Sequence, residues 1–101
     1  MPVLMTLRIA GDPDKLEQLA AERGDVLRAI RDRAVESGLI SHRFYCAEGQ
    51  IMVLDEWPDP ESFPRFFDSQ RREIQPMMQQ VATGEPEITF RRKLETGDDL
   101  G

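Results

Sequence analysis

The chain has 101 residues, a formal net charge of −6, and 40% hydrophobic and 32% charged residues, which predicts one globular domain. The acidic balance argues against a nucleic-acid partner, because binding a phosphate backbone needs clustered Lys and Arg. One cysteine (Cys46) excludes an intrachain disulfide, and one histidine (His42) excludes a multi-histidine metal site within the chain, so we expect no metal.

The N-terminal part of the chain predicts a strand followed by two short helices. Residues 3–9 (VLMTLRI) are apolar and partly alternating, which is typical of a strand. Asp12 then offers an N-cap, with Pro13 at the first helical position, where a missing N–H costs nothing. Apolar residues follow at helical spacing, interrupted at residues 24–25 and closed by Gly38. We therefore expect two helices with a bend between them.

The clearest strands form a predicted hairpin of residues 40–46 (ISHRFYC) and 51–57 (IMVLDEW), with Gly49 supplying the positive φ of a tight turn. A loop of two or four residues places four facing pairs on one side of the hairpin. These pairs are Cys46 with Ile51, Phe44 with Val53, His42 with Asp55, and Ile40 with Trp57. A three-residue loop would break this register, so the His42–Asp55 pair depends on the loop length.

A long helix and a last strand complete the predicted domain. Asp59-Pro60 repeats the cap-plus-proline start of a helix, and an apolar stripe follows it. Pro76 lies deep in this stripe and should kink or restart the helix. Residues 87–94 (EITFRRKL) form the last strand. We expect a single domain over residues 1–95 and a flexible acidic tail over 96–101.

The element order β-α-β-β-α-β predicts an α+β, ferredoxin-like fold: a four-stranded antiparallel sheet with its helices on one face. The other face carries Met52 and Leu54, with Leu4 or Met5 from the first strand. An apolar open face needs a cover. We expect a second copy to supply it, closing two sheets into a homodimeric barrel.

Residues 55–67 (DEWPDPESFPRFF) resemble the signature of the dimeric α+β barrel superfamily, and most closely that of the antibiotic-biosynthesis-monooxygenase-like domains. In that branch a strand ends in Glu-Trp or Glu-x-Trp, and an acidic turn leads into a helix with a His about nine or ten residues past the Trp. Asp55-Glu56-Trp57, Asp59 and Glu61 match the first part. The resemblance implies cofactor-free oxygenation of an aromatic, polyketide-type substrate.

The chain departs from this pattern where the helix His is expected, because Phe66 and Phe67 occupy those positions. Relatives that degrade haem use such a His as the iron ligand, with an Asn on the first strand. Residues 3–9 contain no Asn. We therefore expect no haem and no other cofactor.

His42 is the candidate general base, with Asp55 holding its ring in one tautomer. The alternative is a buried His that a carboxylate satisfies, which stabilises a strand pair without chemistry. The candidate substrate-binding residues are apolar or aromatic: Trp57, Phe44, Phe63, Phe66, Phe67 and Met77. The same stripe is equally typical of a hydrophobic core. A cavity of about 300 Å³ or more between helices and sheet would favour ligand binding.

Two classes of function follow from these residues. The first is a cofactor-independent monooxygenase or isomerase that acts on a small apolar or aromatic molecule. The alternative is a non-catalytic ligand-binding or sensing module, or a structural dimer without ligand. The N-terminus lacks a basic region before a long apolar run, and no apolar stretch approaches the ~20 residues of a membrane span. We therefore expect a cytoplasmic protein with no membrane contact.

Overall fold

The computed structural model describes residues 1–101, which form seven helices and strands. In chain order these are β1 (Val3–Ala10), α1 (Pro13–Glu22), α2 (Gly24–Glu36), β2 (Ser41–Ala47), β3 (Gln50–Trp57), α3 (Ser62–Val81) and β4 (Glu87–Arg92). The predicted β-α-β-β-α-β order is confirmed, with two helices in the first crossover.

The four strands form one antiparallel sheet in the order β2-β3-β1-β4, which is the ferredoxin-like arrangement predicted from the sequence. Alternate side chains of the two central strands are buried on one face, because successive residues of a strand point to opposite sides. The buried set comprises Val3, Met5, Leu7, Ile9, Ile51, Asp55 and Trp57. The helices cover this face, and the hydrophobic core lies between them and the sheet.

The hairpin of β2 and β3 has the predicted register for three of the four facing pairs; the fourth, Ile40 with Trp57, is absent because β2 begins at Ser41. Ala47 pairs with Gln50, so the turn contains two residues, and Gly49 adopts the positive φ of 71° that this turn requires. His42 therefore lies opposite Asp55, and Phe44 lies opposite Val53.

The first helix begins as the sequence predicts, but the break between the first two helices lies at Arg23, one residue before the predicted interruption at 24–25, which belongs to α2. The Asp12 carboxylate accepts the backbone N–H of Asp14 at 3.0 Å, which caps α1, and Arg23 separates α1 from α2. Arg33 of α2 donates to the side chain of Gln70 at 2.8 Å and also pairs with Glu73. These bonds tie α2 to α3 above the sheet.

The start and the interior of α3 differ from the prediction. The helix begins at Ser62, so Asp59-Pro60 form the turn before it, and Asp59 accepts the backbone N–H groups of Glu61 (3.1 Å) and Ser62 (2.9 Å). The helix does not restart at Pro76, because α3 continues to Val81, and the alternative of a kink there stays a prediction. Pro76 is exposed, so the carbonyl that loses its helical partner can bond water instead.

The other face of the sheet carries no helix. Its apolar part contains Leu4, Tyr45, Met52 and Leu54, all exposed or half-buried, whereas Met5 is fully buried on the opposite face. The β1–β4 side of this open face is polar, with an Arg8–Glu87 ion pair at 2.6 Å.

Residues 93–101 form no helix or strand, and Lys93 pairs with Asp99 at 2.5 Å. The division into a domain of 1–95 and a flexible tail of 96–101 stays a prediction. None of the helices combines the length and the apolar character that crossing a membrane requires.

Candidate functional site

A cavity of about 190 Å³ lies between the helices and the buried face of the sheet. Its walls come from β1, β2, β3 and all three helices, and almost all of its lining is apolar. The only polar lining residues are Arg31, His42 and Asp55. Any specific recognition or proton transfer inside the cavity therefore depends on these three side chains.

The central polar contact joins the two strands of the hairpin. The Nδ1 atom of His42 lies 2.6 Å from the Oδ1 atom of Asp55. The Asp55 side chain is only 7% exposed, whereas that of His42 is 30% exposed. The carboxylate is thus held inside the protein, and the imidazole extends from it to the cavity and the solvent.

Trp57 also contacts the Asp55 carboxylate. The Trp57 indole N–H donates to the second carboxylate oxygen of Asp55 at 3.3 Å. An indole N–H can only donate, and an ionised carboxylate can only accept. In this network the neutral His42 ring carries its proton on Nδ1 and donates it to Asp55. The Nε2 atom then keeps its lone pair, which is what a general base needs.

Aromatic rings form the wall next to this group. Trp57 is fully buried and packs against Phe63 and Phe66, with ring centroids 6.0 and 5.8 Å away. Phe67 and Met77 of α3 line the same cavity and are half-buried. The structure thus brings every predicted substrate-binding residue to one cavity, although Trp57, Phe63 and Phe66 also belong to the core.

The mouth of the cavity lies where its lining reaches solvent. Arg31 and Phe44 are the two exposed residues among those that line it. The Phe44 ring packs edge-on against His42, with centroids 4.9 Å apart. His42 therefore stands beside the opening, accessible to a molecule that enters.

The size of the cavity limits what it can hold. Its volume of about 190 Å³ does not reach the ~300 Å³ that the sequence analysis set as favouring ligand binding, which is also where pockets for drug-sized ligands begin. This space suits a molecule of one or two rings. Met77 and Met78 line it, and their unbranched side chains can adjust to a ligand's shape.

Metal-ligating side chains are not clustered in this protein. No group of three or more His, Cys, Asp or Glu residues is close enough together to hold a metal ion.

The pKa of the Asp59 carboxyl is lowered. This residue lies in the turn before α3 and outside the cavity lining. The main cause of the lowered pKa is the hydrogen bond that the Ser62 hydroxyl donates to the Asp59 carboxylate.

The fold recurs among solved structures. The cofactor-independent oxygenase SnoaB from Streptomyces nogalater is 13% identical over 97% of this chain and 98% of that one, with a TM-score of 0.68. The monooxygenase from the gene ActVA-Orf6 of Streptomyces coelicolor, in complex with nanaomycin D, is 15% identical over 93% and 88%, with a TM-score of 0.68. A dimeric ferredoxin-like protein from an uncultured marine organism is 14% identical over 93% and 89%, with a TM-score of 0.66.

A solved antibiotic biosynthesis monooxygenase is 8% identical over 92% of this chain and 99% of that one, with a TM-score of 0.65. The chain has the antibiotic biosynthesis monooxygenase fold. No protein-family model matches the sequence. No curated protein matches it significantly either. The likeness to this fold is therefore carried by the arrangement of helices and strands.

The sequence analysis did not predict two features of the site. The first is the bond from Trp57 to Asp55, although residues two apart on a strand share a face. The second is Arg31, which follows Leu27 by one helical turn and precedes Ala34 by another. Both of those neighbours line the cavity, so the helical spacing contained the signal.

Proposed function

We propose that this protein is a cofactor-independent oxygenase that acts on a small aromatic molecule, with His42 as general base and Asp55 as the residue that orients it. The observation that carries the proposal is the 2.6 Å contact between His42 Nδ1 and Asp55 Oδ1 at the wall of an apolar cavity. This contact leaves Nε2 of His42 free to take a proton. The cavity supplies little water to compete for it, because its lining is almost entirely apolar.

The reaction that fits this arrangement starts from an activated CH₂ group next to an aromatic ring. His42 removes one proton, and the resulting carbanion transfers an electron to O₂ and forms a C–O bond with it. The peroxide oxygen takes a proton and becomes a hydroperoxide. Loss of the second C–H proton and cleavage of the O–O bond then give a ketone and water. The substrate CH₂ group is oxidised and O₂ is reduced, so no further electron donor is required.

Two further observations support the proposal. The aromatic wall formed by Phe63, Phe66, Phe67 and Trp57 suits a flat ring system, because offset and edge-on ring contacts are favourable. Solved structures of the same fold include a cofactor-independent oxygenase and a monooxygenase bound to nanaomycin D. These are properties of those proteins, and they make an aromatic substrate the first class to test.

The test uses the purified protein, without added cofactor, and a panel of one- and two-ring compounds with an activated CH₂ group. Oxygen uptake and incorporation of ¹⁸O₂ into the product are measured. We expect His42→Ala to abolish turnover while binding is retained, and Cys46→Ser, an exposed change on the same strand, to keep full activity. Turnover that His42→Ala leaves unchanged would refute His42 as base. Binding of the panel without any turnover would indicate a ligand-binding module instead.

We infer that two copies pair through their open sheet faces. The apolar side chains of Leu4, Met52 and Leu54 lie on that face without a covering helix, and Tyr45 lies beside them, half exposed. Only 15 of the 101 residues are buried in the single chain, so covering this face would add substantially to the buried apolar area. A symmetric pair is the simplest cover.

A further inference from the structure

The third polar residue of the cavity, Arg31, has no part in the proposed chemistry. It is the one cation that lines the cavity, and it does so at the mouth, since its side chain is 49% exposed. Leu27 and Ala34, one turn before and after it on α2, also line the cavity. The Arg31 stem therefore starts from the cavity wall, and its guanidinium group reaches the opening, as long basic side chains tend to do.

The guanidinium group of Arg31 has hydrogen-bond donors that no protein group engages. Its only ion pair is with Asp32, the next residue in sequence, through the single oxygen Oδ1, at 3.1 Å from Nε and 2.9 Å from Nη2. An arginine carries five N–H donors. Both partners of this pair are about half exposed or more, so water screens the attraction and the pair contributes little. A ligand can therefore engage Arg31 without breaking a strong contact.

Apart from His42, which is positively charged only when protonated, no other side chain that lines the cavity can bind an anion. The two oxygens of Asp55 are engaged by His42 and Trp57, and a carboxylate would in any case repel an anion. The chain as a whole carries a net charge of −6, which disfavours the approach of negative ligands. A single local cation at the mouth thus decides whether an acidic molecule can be bound there.

We propose that the cavity selects small aromatic carboxylates, with the rings against the apolar wall and the carboxylate on Arg31 at the mouth. A planar guanidinium group pairs with a carboxylate through two parallel hydrogen bonds, which fixes the orientation of the ligand as well as its position. The ring system is then held in the cavity that His42 also lines. This inference rests on the proposed function only in that the cavity binds an aromatic molecule.

The test compares two ligands of equal shape, 1-naphthoate and 1-naphthamide, by isothermal titration calorimetry with the full chain at neutral pH and low salt. Arg31→Gln removes the cation and keeps most of the stem. Arg28→Gln removes the same charge from α2 at a position outside the cavity lining. Because Arg31 is exposed, its substitution should leave the fold intact, which circular dichroism verifies.

We expect the parent protein and Arg28→Gln to bind 1-naphthoate about threefold to fivefold more tightly than 1-naphthamide, the size typical of one ion pair near the surface. In Arg31→Gln this preference should disappear, through weaker binding of the naphthoate alone. The inference is overturned if the parent binds both ligands equally, or if Arg28→Gln removes the preference as fully as Arg31→Gln. Failure of both ligands to bind would overturn the proposed aromatic-binding function together with it.

Discussion

His42 and Asp55 are thirteen positions apart in sequence, and their side chains meet across the hairpin with Nδ1 and Oδ1 separated by 2.6 Å. The carboxylate is buried, and its second oxygen accepts the indole N–H of Trp57. Asp55 is thus fixed by two donors from two directions. A histidine held in this way has its ring orientation set by the protein before any ligand arrives.

The bond between Trp57 and Asp55 should contribute measurably to stability. Trp57→Phe keeps an aromatic ring but leaves the buried Oδ2 atom of Asp55 without its donor, so we expect a loss of about 1–3 kcal/mol in the free energy of unfolding. Urea denaturation of Trp57→Phe, Asp55→Ala and the double variant separates this bond from the lost volume. We expect a coupling energy of about 0.5–1.5 kcal/mol between the two positions. If the effects of the two substitutions on the free energy of unfolding were additive, the hydrogen bond would make no net contribution to stability.

Asp59 should make the stability depend on pH in the acid range. The Ser62 hydroxyl, followed by two backbone N–H groups, lowers the pKa of Asp59 below its ordinary value of 3.8. The ionised carboxylate is therefore favoured in the folded state, and this contribution is complete above pH 3.8 and lost as the pH falls through the lower folded-state value. We expect Asp59→Asn to be less stable than the parent at pH 7.

Urea denaturation at a series of pH values checks this expectation, and the difference between parent and Asp59→Asn should close on acidification. Asp98→Asn, in the C-terminal segment outside the helices and strands, is the matched control and should leave stability at pH 7 unchanged. A difference for Asp59→Asn that persists unchanged at the lowest pH would contradict the assigned role of the charge.

Pro76 should be a point of weakness in α3. The residue lies inside the helix and is exposed, so it removes one helical hydrogen bond without adding buried contact. We expect Pro76→Ala to raise the free energy of unfolding by about 1–3 kcal/mol. Gln75→Ala, the exposed neighbour, should stay within about 0.5 kcal/mol of the parent. A destabilised Pro76→Ala variant would show that the proline shapes α3 for packing.

A charge on the open sheet face should prevent the inferred pairing of two copies. Leu54 lies on this face, so Leu54→Glu should convert dimers to monomers at micromolar concentration while the monomer remains folded. Val35→Glu places the same charge at an exposed apolar position on α2, away from the face, and should leave the dimer intact. Size-exclusion chromatography with light scattering measures the mass. A parent protein that is itself monomeric would contradict the pairing.

The hairpin register was predictable because its determinants are local. A two-residue turn with Gly49 at positive φ determines which residues face each other, and the period of two then places His42 and Asp55 on one side. The predicted restart of the helix at Pro76 was wrong for the opposite reason. Local chemistry penalises a proline there, but Ile74 and Met77, on either side of it, both pack against the core and keep α3 continuous.

The sequence by itself determined the order of the elements, the ferredoxin-like sheet and the one His–Asp pair that the hairpin brings together, because turns and side-chain alternation act over a few residues. Only the tertiary structure decided how deeply Asp55 is buried and how much space is left between the helices and the sheet. These features depend on how α2 and α3 pack against the sheet. That packing joins side chains far apart in the chain, and no local pattern specifies it.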